Sequence, residues 1–243
     1  MKKVFLIAIA MLIACTTIMA QPKKSQTKKG EGQPSVITLT SDGQKAESPE
    51  IINGRSIELP PAEVGLDVPL RHALDKRRTV RQLSEEEIPI EMLSSLLWST
   101  YGYNRPDEQR RVVPSARNAQ EFDIYVFMRD GIYLYNAEKN VLEMINKEDH
   151  RTEISDQKHF AEAYASIVIV ANYDRMQMFK EKESRDFYAA VDAGYISQNI
   201  YLFCSANDLG TVACGAIDRD AIQKIIGFKN GRAILAHPIG FAR

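Results

Sequence analysis

One segment constrains the fold more than any other, the stretch from residue 184 to residue 208, which has the pattern of a long helix. Its large apolar side chains cover most of the helix circumference: Phe187, Tyr188, Val191, Tyr195, Ile196, Ile200, Leu202 and Phe203. A helix that is apolar nearly all round must be buried on several sides. Small residues between them (Ala189, Ala190, Ala193 and Gly194) would also let another helix pack closely.

The remaining patterns mix strands and helices without strict alternation, which indicates an α+β fold. Residues 122–127 and 132–135 are β-rich and flank the turn signal at 129–131, so they predict a hairpin. The continuous apolar run at 166–171 predicts a buried central strand. Helices are expected at 69–77, 89–102, 159–165 and 218–226, strands at 210–214 and 233–241, and an extended lead-in at 57–61.

The N-terminus has the pattern of an export signal over residues 1–20. Lys2 and Lys3 precede an apolar run from Val4 to Ala14. This run is shorter than the roughly 20 residues that span a bilayer, and it suits the apolar region of a signal peptide. Two processing routes stay open, cleavage after Ala20, which we favour, and lipidation of Cys15 at a lipobox. We therefore predict an exported bacterial protein, periplasmic or secreted, with a lipoprotein anchored at Cys15 as the alternative.

Residues 21–50 are rich in Lys, Gln, Ser, Thr, Gly and Pro, which predicts a flexible polar linker before a folded domain at 51–243. No later apolar run approaches the length of a membrane span, so no transmembrane helix is expected. The chain has 31 basic and 32 acidic side chains, a balance that argues against a nucleic-acid binder.

Two other residue types carry little functional signal. Cys204 and Cys214 are the only cysteines after the signal, and their surroundings favour free thiols over a disulfide. The four histidines do not fall at metal-ligand spacing, so no metal is expected, and surface or capping positions are predicted for His72, His150, His159 and His237.

Three polar clusters are candidate binding sites. In the first, Arg77, Arg78, Thr79 and Arg81 place three guanidinium groups and a hydroxyl within five residues, and these could converge on one phosphate. The alternative for this cluster is a solvated basic helix end.

The second cluster is the stretch 114–120, in which the side chains of Ser115, Asn118 and Gln120 could recognise a planar heterocycle. The third is the stretch 210–216, where small residues would let backbone N–H groups approach a ligand closely. A plain polar loop and a plain strand-to-helix connection are the respective alternatives.

Taken in order, five motifs resemble the nitroreductase family of FMN-dependent oxidoreductases, and they are most similar to its branch of SagB-type dehydrogenases. They are RRTVR, LLWSTYGYNR, VPSARNAQEFDIYV, DAGYISQNIYLFCSANDLGTVACGAID and the terminal HPIGFAR. The resemblance covers residues 55–243. It implies an α+β homodimer that binds FMN at its interface, a central mixed, mainly antiparallel sheet flanked by helices, and the long helix in the dimer core.

The resemblance also assigns roles by position. Arg77, Arg78, Thr79 and Arg81 would contact the FMN phosphate and ribityl chain, and Asn118 the flavin ring, with Ser115 and Gln120 nearby. Backbone N–H groups of Cys214 and Gly215 would face flavin N5 and O4. A second basic phosphate contact would come from Arg243, or less favourably from Arg232.

The implied reaction takes hydride from NAD(P)H or another donor, through FMN, to a nitroaromatic, quinone or azoline-type acceptor. No catalytic side chain is implied, and the Cys214 side chain is expected to pack rather than to react. A non-catalytic flavin-binding or electron-relay protein is the alternative, and a cofactor-free interaction protein is a third. Trp98, Tyr101 and Tyr103 belong either to the core or to the wall of the substrate pocket.

Overall fold

The computed structural model describes residues 51–52 and 55–243. The predicted signal peptide at 1–20, its two processing routes and the predicted linker at 21–50 lie outside the described residues. Within the described residues, no helix is both long and apolar enough to cross a membrane.

The described chain forms ten strands and four α-helices. In chain order they are β1 (Ser56–Glu58), α1 (Leu70–Lys76), β2 (Leu83–Ser84), α2 (Ile90–Tyr101), β3 (Tyr103–Arg105), β4 (Arg110–Arg111), β5 (Phe122–Met128), β6 (Gly131–Asn136), β7 (Val141–Asn146), β8 (Ala165–Asn172), α3 (Lys182–Ala206), β9 (Leu209–Thr211), α4 (Arg219–Ile226) and β10 (Gly231–Ala242).

Eight strands form one sheet in the order β1-β7-β6-β5-β8-β10-β2, with β9 also paired to β10. Every strand pair among the described residues is antiparallel. The sheet was expected to be mixed and mainly antiparallel, and no parallel pair is observed among these residues. Strands β3 and β4 form a separate hairpin. The α+β fold class predicted from the sequence is confirmed.

The centre of the sheet is covered on both faces. Ile167 and Ile169 of β8 pack with α2 and α3 on one face, whereas Val168 and Val170 pack with α4 on the other. Successive side chains of a strand point to opposite faces, so a strand covered on both sides must be apolar throughout. This explains the continuous apolar run at 166–171, whose prediction as a buried strand is confirmed.

Most of the predicted elements are observed, and two of them need correction. The helix expected at 159–165 is only one 3₁₀ turn, Lys158–Phe160, and strand β8 already begins at Ala165. The strand expected at 210–214 ends at Thr211, and Cys214 makes only an isolated bridge to Ala236. The sequence patterns also missed strand β7 and the β3–β4 hairpin.

The long helix α3 is buried on one side only within a single chain. Ala189, Ala193 and Ile196 are fully buried against the sheet and α2. On the opposite side, Phe187 is 62% exposed and Tyr195 is 46% exposed. The predicted burial on several sides is therefore not reached within one copy of the chain. The neighbouring helix α1 likewise buries Ala73 but leaves Leu70 and Leu74 exposed.

Candidate functional site

The basic cluster, residues 77–81, follows α1 as an extended segment that lies beside β9. The backbone of Arg77 leaves the helical region, which ends α1 after Lys76. The Val80 N–H then donates to the Thr211 carbonyl at 2.9 Å. The arginine side chains of the cluster are exposed, and none of them pairs with a carboxylate among the described residues. The structure thus brings the first predicted cluster against the third.

Tyr201 of α3 connects these two clusters, and the sequence patterns did not single it out. Its hydroxyl accepts from the Ala213 N–H at 2.9 Å and lies 3.2 Å from the Thr79 hydroxyl. The Arg77 guanidinium carbon lies 5.2 Å from the centre of the Tyr201 ring. Tyr201 therefore fixes the spacing between the basic cluster and the 210–216 loop.

A buried histidine supports Tyr201 from behind. His237 of β10 is fully buried, and its ring nitrogens lie 3.1 Å from Thr211 Oγ1 and 2.9 Å from Ser197 Oγ. Its ring meets Tyr201 edge-on at 5.4 Å between centres. Burial lowers the pKa of His237 to about 3, so the ring is neutral. The prediction of a surface or capping position is wrong for His237.

Cys214 contributes less to the site than the resemblance implies. Its N–H donates to the Ala236 carbonyl at 2.8 Å, which removes it from the donors expected at the flavin. The adjacent Gly215 is exposed, and its N–H has no acceptor among the described residues. The third predicted cluster therefore offers Gly215 rather than Cys214 as its first backbone donor.

The Cys214 side chain packs in the interior. It is 4% exposed, and its sulfur lies 3.4 Å from Nε2 of His159, which is itself buried, so the surface prediction for His159 is wrong as well. Burial raises the pKa of the Cys214 thiol and lowers the pKa of His159, with the charge of Arg81 adding to the histidine's shift. Both groups are neutral at pH 7, and a neutral thiol is a poor nucleophile. Cys204 is a second buried free thiol.

The C-terminus lies beside the basic cluster. The Arg243 N–H donates to the Gln82 carbonyl at 3.0 Å, one residue after Arg81. Arg232, the weaker candidate for a second phosphate contact, pairs with Ala171 near the other end of β10. The two arginines are eleven positions apart along β10 and the residue that follows it, which corresponds to about 36 Å. Only Arg243 can therefore join the cluster within one chain.

The 115–120 loop is held in an unusual backbone conformation. Arg117, Asn118 and Gln120 all have positive φ angles, between 48° and 56°. Ser115 Oγ accepts from the Gln120 N–H at 3.0 Å, and the Ala116 N–H donates to Asp192 of α3 at 2.7 Å. Such clusters of positive φ persist only where the surroundings fix them, and they occur often at functional sites.

The Gln120 amide is used to build this loop. Its oxygen accepts from Arg111 Nε at 2.9 Å and its nitrogen donates to the Gln109 carbonyl at 2.7 Å. The Asn118 oxygen also accepts from Gln120, whereas the Asn118 amide nitrogen has no acceptor among the described residues. Of the two amides, Asn118 is thus the one that can donate to a ligand.

Two buried carboxyl groups lie behind the loop, and the sequence patterns missed them. Glu121 is fully buried, and neither of its carboxyl oxygens has a hydrogen-bond donor among the described residues. Burial, with the Asp192 carboxylate adding to it, raises the pKa of Glu121 to about 7. Burial also raises the pKa of Asp192. Two such groups in contact favour a shared proton over two charges.

One chain does not bring the 115–120 loop to the basic cluster. The loop is attached to α3 at Asp192, and the basic cluster is attached to it at Tyr201. Nine helical residues correspond to about 14 Å along the axis. The first and third predicted clusters therefore form one surface, with Arg243, and the second lies apart.

Two cavities lie on either side of the β3–β4 hairpin residues, and the larger of them adjoins the 115–120 loop. The smaller one, of about 370 Å³, is lined by Trp98 and Tyr103, while Tyr101 belongs to the core. The larger one, the arginine hollow, has a volume of about 680 Å³ and is lined by Arg105, Arg110, Arg111 and Arg117 together with Ser115 and Asn118.

Comparisons with known proteins agree with this architecture. The model of the Nitroreductase family matches residues 74–241. A protein of Methanocaldococcus jannaschii with a provisional nitroreductase name is 32% identical over 196 residues, which are 76% of this chain and 95% of that protein. A solved structure from Ralstonia eutropha JMP134, also provisionally named a nitroreductase, has a TM-score of 0.73 at 29% identity and covers 81% of this chain and 94% of its own. The fold is also similar to the NADPH:FMN oxidoreductase of Vibrio harveyi, solved with NAD⁺, with a TM-score of 0.53, 15% identity, and coverage of 71% of this chain and 68% of that one.

Proposed function

The chain belongs to the nitroreductase family and is an oxidoreductase, and we propose that it binds FMN between two identical subunits and uses it to pass electrons from NAD(P)H to a small acceptor. One observation carries the proposal. Tyr201 holds the unpaired arginines of the basic cluster beside the 210–216 loop, so a phosphate site and a site of exposed backbone donors share one surface.

The residues present suit the phosphate end of FMN. Arg77, Arg78 and Arg81 have no carboxylate partner among the described residues, and Arg243 lies next to them. Guanidinium groups bind phosphate oxygens in pairs of charge-assisted hydrogen bonds, and the Thr79 hydroxyl can add another. The contacts of Thr79 with Tyr201 and of Val80 with Thr211 fix the position of this segment, which argues against the alternative of a purely solvated helix end.

FMN, when bound, supplies the hydride-accepting chemistry, while the protein holds and tunes it. The Gly215 N–H and the Asn118 amide are donors that can be aimed at the polar edges of a flavin ring. Donors fixed before the reaction stabilise developing negative charge without reorganisation. The neutral Cys214 thiol takes no part in this scheme. Support for NAD(P)H as donor comes from the similar fold of the V. harveyi enzyme, which was solved with NAD⁺.

The exposed face of α3 supports a homodimer. Phe187, Val191 and Tyr195 form an apolar stripe at helical spacing, continued by Leu70 and Leu74 of α1. Patches of this kind mark protein interaction sites. If two copies of α3 pack antiparallel and cross near residues 196–197 under two-fold symmetry, Asp192 of one subunit lies opposite Tyr201 of the other. The 115–120 loop of one subunit would then reach the basic cluster of its partner.

Gly194 provides a direct test of this dimer. An added Cβ at Gly194 meets no atom within 4 Å in the single chain, so Gly194→Trp leaves the subunit fold intact. We expect size-exclusion chromatography with light scattering to show a dimer for the parent chain and a monomer for Gly194→Trp, with FMN binding lost. Lys224→Trp, on the exposed side of α4, is the matched control and stays dimeric. A Gly194→Trp variant that remains a dimer with bound FMN would refute the interface.

The cofactor proposal is tested by the visible spectrum of residues 21–243 purified with added FMN. We expect a yellow protein that bleaches with NADH or NADPH under anaerobic conditions. Arg78→Ala with Arg81→Ala removes two charge-assisted contacts and should weaken FMN binding at least about 100-fold. Arg55→Ala with Arg71→Ala removes the same charge elsewhere and should leave the affinity unchanged. A colourless protein with no FMN-induced stabilisation would overturn the proposal, and a yellow one that does not bleach would favour the non-catalytic binder.

Export is a separate part of the proposal and rests on the residues at 1–20 alone. Mass spectrometry of the protein from a bacterial host should show an N-terminus at Gln21, or a lipid-modified Cys15 that Cys15→Ser abolishes. An unprocessed Met1 terminus would contradict both routes. Limited proteolysis should then cut within 21–50 and leave the domain of residues 51–243 intact.

A further inference from the structure

We infer that the arginine hollow binds an oligophosphate group. The inference rests on the proposed function, because it places this group next to the flavin that the 115–120 loop would contact. The hollow and the basic cluster are different places in one chain, since the hollow lies at the end of the loop that is anchored by Asp192.

The charge of the hollow is unopposed. Four arginines line it and no acidic side chain does, although the whole chain has almost equal numbers of acidic and basic residues. Arg105, Arg110 and Arg117 are exposed and form no ion pair among the described residues. Gathering like charges is unfavourable unless an anion offsets them. The turn between β3 and β4 does contain Asp107 and Glu108, but neither lines the hollow.

Arg111 makes the hollow a fixed feature of the fold. Its guanidinium lies between two aromatic rings, 3.9 Å from the centre of Tyr101 and 4.3 Å from that of Tyr103. Its nitrogens donate to the Tyr101 carbonyl at 2.6 Å, to the Tyr103 hydroxyl at 3.1 Å and to Gln120. A cation held in this way loses little further freedom when an anion binds. The positive φ of Arg117 is part of the same fixed wall.

The number of arginines indicates the ligand class. The hollow is an open depression of about 680 Å³, so a charged ligand bound there stays partly in contact with solvent. Planar guanidinium forks match phosphate oxygens, and four of them can neutralise more than one phosphate. Ser115 and Asn118 line the same hollow, so its occupant lies beside the expected flavin ring. The phosphates of a nicotinamide dinucleotide and a free oligophosphate share this chemistry.

Tripolyphosphate is the probe that tests the inference, with binding measured by titration calorimetry on FMN-saturated protein. The triple variant Arg105→Gln, Arg110→Gln, Arg117→Gln removes the three unpaired charges and spares Arg111. These side chains are exposed, so the variant should fold, which its melting temperature verifies. We expect its dissociation constant to rise at least tenfold, whereas Arg55→Gln with Arg71→Gln leaves it unchanged. An unchanged constant in the triple variant would overturn the inference.

Two further measurements identify the source of the phosphate and separate the two proposals. Competition by NADP⁺ or NAD⁺, with slower flavin reduction by NAD(P)H in the triple variant but unchanged reduction by dithionite, supports the dinucleotide. Tripolyphosphate binding without such competition supports a free oligophosphate. Failure to bind FMN would overturn the proposed function. The inference about the arginine hollow would still be testable, by titrating tripolyphosphate without FMN into the triple variant and its parent. Both would carry Arg78→Ala and Arg81→Ala, so that the basic cluster does not bind the probe.

Discussion

The buried Glu121 predicts how the stability of the protein depends on pH. Its pKa is raised from 4.5 to about 7, because burial and the nearby Asp192 both disfavour its charged form. The native state therefore binds this proton more tightly than the unfolded chain does. The resulting stabilisation is complete below pH 4.5 and is lost as the pH rises through 7. The difference between the two pKa values corresponds to about 3 kcal/mol.

Glu121→Gln should remove this dependence. Glutamine has the shape of the protonated acid and stays neutral at every pH. We expect the variant to differ from the parent protein by less than about 1 kcal/mol at pH 5 and to be more stable by up to about 3 kcal/mol at pH 8.5. For a domain of this size that is roughly 6–12 °C in melting temperature. Thermal unfolding recorded by circular dichroism at half-unit intervals from pH 5 to pH 8.5 measures it.

Two further variants decide whether the reasoning is correct. Glu143→Gln removes a carboxyl group that already has partners, Lys139 at 3.3 Å and Asn136 at 3.0 Å, so it should be less stable than the parent. Asp192→Asn removes the neighbouring charge that helps to raise the pKa of Glu121, so the loss of stability should be smaller and should end at lower pH. If Glu121→Gln is less stable than the parent protein at pH 8.5, then ionised Glu121 is stabilised in the fold, and the reasoning is refuted.

The other expectations concern the surface around Tyr201. Burial lowers the pKa of His237 from 6.5 to about 3, so the parent protein should lose stability as the pH falls from 6.5 towards 3. In His237→Gln the melting temperature should depend less on pH over this range. Tyr201→Phe leaves the Ala213 N–H without its acceptor and should cost about 1–3 kcal/mol in urea unfolding, with weaker FMN binding in fluorescence titration. Gly210→Ala places a Cβ 2.6 Å from Leu83 Cδ2 and should destabilise by about 1–3 kcal/mol. Gly215→Ala, whose Cβ would meet only Leu235 at 3.8 Å, should leave the melting temperature unchanged.

Local sequence patterns were sufficient to predict an element where a single residue type determines where it begins or ends. Pro89 precedes α2 and Gly102 follows it, as the sequence predicts, because proline suits a helix start and Gly102 ends the pattern. The run at 166–171 could be recognised since both faces of β8 are covered. Strand β7 was missed because Glu143 and Asn146 interrupt its apolar pattern, although Glu143 is buried through its bonds to Lys139 and Asn136.

The contacts that build the site could not be predicted, because they join residues far apart in the chain. Thr79 meets Tyr201 across 122 residues, and Ala116 meets Asp192 across 76. The motifs predicted which loops contribute to the site, but they did not predict Asp192 and Tyr201, the side chains that fix those loops in place. Glu121 illustrates this limit, since a glutamate before a β-strand looks like an ordinary exposed acid until Asp192 is placed beside it.

Both long-range anchors lie on α3, and this decides how the site can be completed. A single helix holds the 115–120 loop at Asp192 and the basic cluster at Tyr201, so their separation is as rigid as the helix itself. A separation of about 14 Å cannot close by bending such a helix. The same helix presents its unpaired apolar face to solvent. Helix α3 thus keeps the 115–120 loop and the basic cluster apart within one chain, and its exposed apolar face is the surface through which a second chain would bring them together. Gly194→Trp disrupts this face and should therefore abolish dimer assembly and FMN binding together.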